Sequence, residues 1–170
     1  MIDIRAAAIE DVEAIYTLIE ATCQKVACFG KRSREYITDG ILGFVVAEEE
    51  GRIVGSGQLV VLKLDSTSEI RAMCVDHALQ RKGVGTRILA ALLGKVQTKR
   101  ILVECVPHNC AFYEKFGFRL TGMLKDIFMR REPDDLYEAI KTYPSECTRF
   151  PDQCPGMMLT MNSDQAGRIA

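Results

Sequence analysis

Gln80-Arg81-Lys82-Gly83-Val84-Gly85-Thr86 is the stretch on which the fold turns. Upstream, residues 69–75 read as a strand, with Ile70, Ala72 and Cys74 on one face and Arg71, Met73 and Val75 on the other. Downstream, Ile88, Leu92 and Val96 recur at every fourth position beside Leu89 and Leu93, the pattern of a helix with one apolar side. The loop therefore joins a strand to a helix N-terminus. Such an end offers unpaired backbone N–H groups and the positive pole of the helix dipole. Gly83 and Gly85 remove side chains, so an anion can approach the backbone, and Arg81, Lys82 and Arg87 add positive charge. The chemistry this suits is a phosphate or pyrophosphate. Neither the three-glycine dinucleotide fingerprint nor the phosphate-binding loop that ends in Gly-Lys and a hydroxyl residue is present. A plain glycine turn before a helix is the alternative reading.

Working outward, Ile2, Ile4 and Arg5 open a short strand. Asp11 is placed to cap a helix whose apolar face is Val12, Ile15 and Ile19 and which fades near Cys28 to Gly30. A short helix, Ser33 to Thr38, ends at Gly40. Phe44-Val45-Val46 and Ile53 to Leu62 flank the polar Glu48 to Arg52 turn, which reads as a hairpin. Gly55 and Gly57 inside the return strand signal a bulge or a close backbone approach. Asp65 to Ser68 reads as a polar loop. Beyond the central helix, Ile101 to Val106 is an apolar strand broken only by Glu104 and ended by Pro107. Asn109 to Lys115 reads as a short helix with Gly117 as its C-cap, and Phe118 to Thr121 as a strand. The order is mixed: strand, helices, three strands, helix, strand, helix, strand. It predicts an α/β (α+β) fold with a mixed, largely antiparallel sheet flanked by helices. Four of the 5 prolines fall between Glu132 and Gly156. The expected organisation is a domain over 1–131 and a Pro- and Cys-containing tail over 132–170, with a last strand near 157–161.

The chain has 170 residues, suited to one domain, and 48% are hydrophobic, enough for a core and too many for a disordered chain. Lys and Arg total 22 against 23 acidic residues, so a general nucleic-acid binder is not expected. No apolar stretch approaches the ~20 residues of a spanning helix, and charges interrupt the N-terminus before any leader core. A cytoplasmic setting without membrane contact is the expectation. The 7 cysteines are odd in number and form no C-x-x-C pair, and the only histidines are His77 and His108. Reduced thiols and no metal site are expected.

Two ordered motifs carry a resemblance. Gln80-Arg81-Lys82-Gly83-Val84-Gly85 resembles the acetyl-CoA signature of the GNAT N-acetyltransferase superfamily: Gln or Arg, two residues, Gly, one residue, then Gly or Ala. Asn109 followed by Phe112-Tyr113-Glu114-Lys115-Phe116-Gly117-Phe118 is similar to a second feature of that family. Within it, Val103-Glu104-Cys105-Val106-Pro107-His108-Asn109 with Phe112-Tyr113 most resembles glucosamine-6-phosphate N-acetyltransferases. One departure is visible. Those enzymes tend to carry a Glu-Asp pair in the strand before the loop, where this chain has Glu69-Ile70-Arg71-Ala72.

The resemblance implies an enzyme that moves acetyl from acetyl-CoA to a small-molecule amine, with a homodimer as a possible assembly. It implies that the backbone from Arg81 to Thr86 holds the pyrophosphate, with Gln80, Lys82, Gly83, Val84 and Gly85 in the cofactor-binding set. Met73, Cys74 and Val75 would flank the pantetheine arm, with a backbone N–H at Cys74 or Val75 toward the thioester oxygen. Asn109, Phe112 and Lys115 join the cofactor set. Tyr113 takes the general-acid position, and a phenol of pKa near ~10 suits protonation of a thiolate of pKa near ~8.5. Glu69, Glu104 and His108 are candidates to deprotonate the amine, with a water relay as the alternative. Arg71, with His108, is a candidate for the acceptor and would favour an anionic one. A protein or peptide acetyltransferase and a non-catalytic acetyl-CoA-binding module are the competing readings.

Overall fold

The computed structural model describes residues 1–25, 30–62, 67–123 and 157–162. The chain forms two compact units, one from residues 1–60 and 70–96, the other from residues 61–69 and 97–170.

The first unit contains β1 (Ile2–Ala6), α1 (Val12–Cys23), α2 (Arg34–Asp39), β2 (Phe44–Glu49), most of β3 (Arg52–Leu62), the larger part of β4 (Thr67–Val75) and α3 (Val84–Leu93). Its strands lie in the order β1-β2-β3-β4. β1 runs antiparallel to β2, with Ile2 opposite Glu49 and Ala6 opposite Val45, and β2 runs antiparallel to β3. The expected hairpin closes through Glu50 and Gly51, at φ 51° and 78°. Two consecutive left-handed residues make the turn whose twist matches that of paired strands.

Gly55 and Gly57 fulfil both parts of their reading. Ala47 faces Gly55 while Glu48 faces Ile53, so Val54 is the extra residue of a bulge. α3 also crosses this strand closely. A Cβ on Gly55 would lie 2.7 Å from Ile88 Cδ1, and one on Gly57 would lie 2.8 Å from Leu92 Cδ1. The helix can sit this low only because those side chains are absent. On the other side of the sheet, Ile15 and Ile19 of α1, Ile37 of α2, Phe44 and Val46 of β2, and Ala72 and Cys74 of β4 form one buried cluster. Each large aliphatic side chain there contributes roughly 1.5–3 kcal/mol of burial.

Several local expectations are corrected. Asp11 is the N-cap residue of α1 as expected, but not through its side chain; its carboxylate accepts the Ala8 N–H at 2.8 Å and the Arg5 guanidinium at 2.6 and 2.9 Å. Arg5 also donates to Glu48, so the three charges tie β1, β2 and the entry to α1 together. α1 ends at Cys23 rather than near Cys28, and residues 26–29 lie outside those described. Thr67 and Ser68 belong to β4 and are buried, so the strand starts earlier than the polar composition suggested. Thr98 Oγ1 donates to Ser68 Oγ at 2.8 Å, which meets part of the polar demand of that burial. α3 ends at Leu93, with Gly94 as its cap, so Val96 lies beyond the helix.

The second unit contains β5 (Arg100–Cys105), α4 (Cys110–Glu114), β6 (Arg119–Met123) and β7 (Met157–Asn162). β7 lies between the other two and runs antiparallel to both, with Arg100 opposite Asn162 and Arg119 opposite Thr160. Ile101, Leu102 and Val103 are buried, as a strand with a neighbour on its long edge and a covered face should be. α4 is shorter than the Asn109 to Lys115 reading and its C-cap is Lys115 rather than Gly117; Gly117, at φ 84°, is the left-handed residue that follows before β6. The sheet is mostly antiparallel and flanked by helices, as the sequence order predicts.

Candidate functional site

In the first unit the candidate region is the corner between β4 and α3. Asp76 follows β4 and accepts the Ala78 N–H at 3.0 Å, which starts a short 3-10 turn over His77–Leu79. Arg52 Nη2 holds the same carboxylate at 3.0 Å. Gln80 is not directed at a ligand by its side chain; its Nε2 donates back to the Val75 carbonyl at 3.2 Å and closes the corner. Arg81 and Gly83 then adopt left-handed backbone, at φ 63° and 82°. Alternating left-handed residues turn successive N–H groups inward, the geometry of an anion nest.

Gly83 is the N-cap of α3, and the first bond of the helix runs from the Arg87 N–H to the Gly83 carbonyl at 3.1 Å. The N–H groups of Val84, Gly85 and Thr86 precede it and have no acceptor inside the helix. The first turn carries no acidic residue. Arg81, Lys82 and Thr86 are exposed, and Val84 is buried beneath the turn as its anchor. Arg87 is the exception among the basic residues: its Nη1 donates to the Ile2 carbonyl of β1 at 2.9 Å, so it braces α3 against the sheet. An exposed end with free N–H groups, two cations beside it and no competing carboxylate fits a pyrophosphate.

β4 supplies the next residues. Cys74 is buried, with its Sγ 3.3 Å from Ser56 Oγ, and burial pushes its thiol up to about 11. Its side chain is therefore part of the core, and only its backbone is available to a ligand. Met73 and Val75 are half-buried, and Met73 Sδ lies over Gly57, where a Cβ would come within 2.5 Å of it. Arg71 is half-buried as well, which matches the two-face reading of the strand. Ala72 interrupts the strand with φ 50°, an uncommon conformation for a residue with a Cβ. No feature of the sequence around Ala72 announces it.

In the second unit the candidate region is the corner between β5 and α4. Pro107 opens a 3-10 turn over Pro107–Asn109, and the Asn109 N–H donates to the Val106 carbonyl at 2.9 Å. His108, Asn109 and Lys115 are exposed. Tyr113 is 6% exposed and sits edge-on to two rings, 4.9 Å from Phe112 and 5.8 Å from Phe118. Burial first, and the neighbouring Cys105 second, push its phenol well above the ordinary range. Phe116 and Phe118 are core residues, whereas Phe112 is half-buried and contacts Phe116 at 5.6 Å. Glu104 is half-buried on β5, and Glu69 is 2% exposed on β4. Cys105 and Cys110 stand with their sulfurs 3.7 Å apart, a pairing that their spacing of five residues did not reveal.

Comparison with known proteins agrees with this arrangement. The profile of the acetyltransferase (GNAT) domain matches residues 13–126. The uncharacterized N-acetyltransferase YvbK of Bacillus subtilis is 28% identical over 92 residues, which are 49% of this chain and 58% of that protein. Among solved structures, N-acetylglutamate synthase from Neisseria gonorrhoeae, complexed with coenzyme A and N-acetyl-glutamate, superposes with a TM-score of 0.73 at 21% identity. That match covers 95% of this chain and 35% of the synthase, so the chain spans about a third of that protein's length. A Mycobacterium tuberculosis protein in complex with CoA superposes at 0.72 with 24% identity, covering 94% of this chain and 98% of its own. Among the described residues, no helix is long and apolar enough to cross a membrane. With its profile matching two thirds of the sequence and its fold reproduced in those structures, the chain belongs to the GNAT acetyltransferase domain family.

Proposed function

We propose that this protein is an acetyl-CoA-dependent N-acetyltransferase that acts on a small, anionic primary amine, with glucosamine 6-phosphate as the first acceptor to test. The observation that carries the acetyl-CoA half is the α3 N-terminus, where Arg81 and Gly83 both take left-handed backbone before three N–H groups without an intrahelical acceptor. Acetyl-CoA supplies the activated acyl group as a thioester. The 80–86 loop holds the pyrophosphate, and Lys82 screens its charge. Met73 and Val75 flank the pantetheine arm, and a backbone N–H at Cys74 or Val75 stabilises the developing oxyanion. Asn109, Phe112 and Lys115 complete the cofactor contacts.

Tyr113 protonates the departing sulfur. Its buried, aromatic surroundings favour the neutral phenol, so the proton is in place when the thiolate forms. Glu69 or Glu104 takes the proton of the incoming ammonium, directly or through water, with His108 as the exposed alternative. Arg71 supports an anionic acceptor because a guanidinium recognises phosphate and carboxylate alike. N-acetylglutamate synthase among the structural neighbours makes a carboxylate-bearing amine the second acceptor to test. A peptide acceptor is the competing class, since the ribosomal-protein-S18-alanine N-acetyltransferase from Escherichia coli also superposes, with a TM-score of 0.66.

The test is thiol release from acetyl-CoA with glucosamine 6-phosphate, glutamate and a set of amino-terminal peptides. Release with the sugar phosphate alone establishes the substrate. Release with glutamate or only with peptides keeps the chemistry and replaces the acceptor. Acetyl-CoA binding without release for any amine would overturn the enzymatic reading.

A further inference from the structure

Cys105 is the last residue of β5 and Cys110 the first of α4, and Val106 to Asn109 form the corner between them. Both thiols are free and half-buried, and their sulfurs are 3.7 Å apart. A disulfide needs about 2.05 Å between sulfurs, so the pair is within a small side-chain movement of bonding distance. Cys74, by contrast, is buried, and Ser56 Oγ faces its sulfur. We propose that Cys105 and Cys110 form an oxidative modification site, a dithiol that a hydroperoxide converts to a reversible intramolecular disulfide.

The two thiols are not equivalent. Burial, and then the Cys110 thiol beside it, hold the Cys105 proton well above the ordinary thiol range, with Glu114 and Glu104 adding to the same effect. Tyr113, the other titratable group against Cys105, is neutral in this range for the reason given above. The thiolate is the nucleophile, and the proposal assigns the first attack to Cys110, with Cys105 as the resolving thiol. Its sulfur attacks one peroxide oxygen, the O–O bond breaks, and the departing hydroxide takes up the thiol proton as water. The sulfenic acid left on Cys110 is then displaced by Cys105. The S–S bond forms, the S–O bond breaks, and the hydroxyl leaves with the Cys105 proton as a second water. Two thiols and one hydroperoxide thus give one disulfide, water and the reduced peroxide product, with the sulfurs losing two electrons in total. The bond closes a ring through Val106, Pro107, His108 and Asn109. This inference stands apart from the acetyltransferase reading, because neither cysteine is assigned to that chemistry.

The sequence makes the test direct. Arg100 and Lys115 bracket both cysteines with no lysine or arginine between them, so trypsin releases them on the single peptide 101–115. The full chain is reduced, treated with an equivalent of hydrogen peroxide, alkylated, digested and weighed. The expected peptide 101–115 lacks both alkyl groups and two hydrogens, and it recovers both alkylation sites after dithiothreitol. In Cys110→Ser, oxidation of Cys105 is expected to slow by at least tenfold, while Cys105→Ser should stop at a sulfenic acid on Cys110 that dimedone traps. The proposal falls if peptide 101–115 stays doubly alkylated while other cysteines oxidise, or if either thiol is found joined to another peptide. The wild-type map alone decides this should either variant fail to fold.

Discussion

The corners after β4 and after β5 have the same construction, a strand, one 3-10 turn and a helix, yet they offer opposite chemistry. The β4–α3 corner offers backbone groups. Arg81 and Gly83 are left-handed, and the first turn of α3 presents N–H groups to solvent. Its polar side chains are used for bracing: Gln80 on Val75, Arg52 on Asp76, Arg87 on Ile2. The β5–α4 corner works through side chains. Its helix has five residues, and its reactive groups are a phenol set among rings and two adjacent thiols. The difference teaches where each corner is vulnerable. A backbone site is damaged by what a substitution adds, and a side-chain site by what it removes.

The largest effect should come from adding a charge to the backbone site. Gly85→Glu places a carboxylate in the first turn of α3, where the pyrophosphate is proposed to lie. A carboxylate there suits the helix dipole, so the melting temperature should hold or rise slightly. Acetyl-CoA affinity measured by titration calorimetry should nevertheless fall by at least a hundredfold, about 2.7 kcal/mol. Retained affinity in a folded variant would show that the α3 N-terminus is not the cofactor site.

Removal is the test for the other corner. Tyr113→Phe keeps both ring contacts and deletes only the hydroxyl. Turnover should drop by roughly 10²-fold, within the range of a lost general acid, while acetyl-CoA affinity changes less than twofold. Because the phenol is held above its ordinary range, wild-type activity should not decline through Tyr113 below about pH 10. An unchanged kcat would leave Tyr113 as core packing, and the two corners would then no longer divide between backbone and side chain.

The backbone corner was far more legible in sequence than the side-chain corner. Gly83, Gly85 and the apolar spacing of Ile88 and Leu92 are local signals, and local signals survive translation into structure. The alternation of β4 and the Glu50-Gly51 hairpin are equally local. Positions decided at a distance were hidden. β7 lies between β5 and β6 although residues 124–156 separate it from β6 and a longer stretch from β5, and no period encodes such a partner. Asp11 has the composition of a helix cap, but a guanidinium on β1 and the Ala8 N–H claim its carboxylate. Thr67 and Ser68 look like loop residues until a partner such as Thr98 is placed against them. Sequence spacing showed that Cys105 and Cys110 were near one another along the chain, but only the bend at Pro107 turns their sulfurs together.

Two glycines sharpen the comparison, because they are needed for different physical reasons. Gly57 has ordinary strand backbone and no room: a Cβ would meet Met73 Sδ at 2.5 Å, Leu92 Cδ1 at 2.8 Å and Ile88 Cγ2 at 3.0 Å. Gly57→Ala should therefore cost about 2 kcal/mol in urea unfolding, as overpacking does, and weaken acetyl-CoA binding by lifting α3 from the sheet.

Gly83 is the reverse, with nothing within 4 Å of a Cβ but φ at 82°. Gly83→Ala should cost about 1 kcal/mol, the penalty of a left-handed residue with a Cβ. Gly83→Asn should recover part of it, because asparagine tolerates that conformation and alanine does not. Arg81 holds φ 63° two residues earlier with a Cβ, so the conformation is costly rather than forbidden, in keeping with a penalty of this size. Equal losses for alanine and asparagine would mean that bulk, rather than backbone conformation, is what the α3 N-terminus refuses.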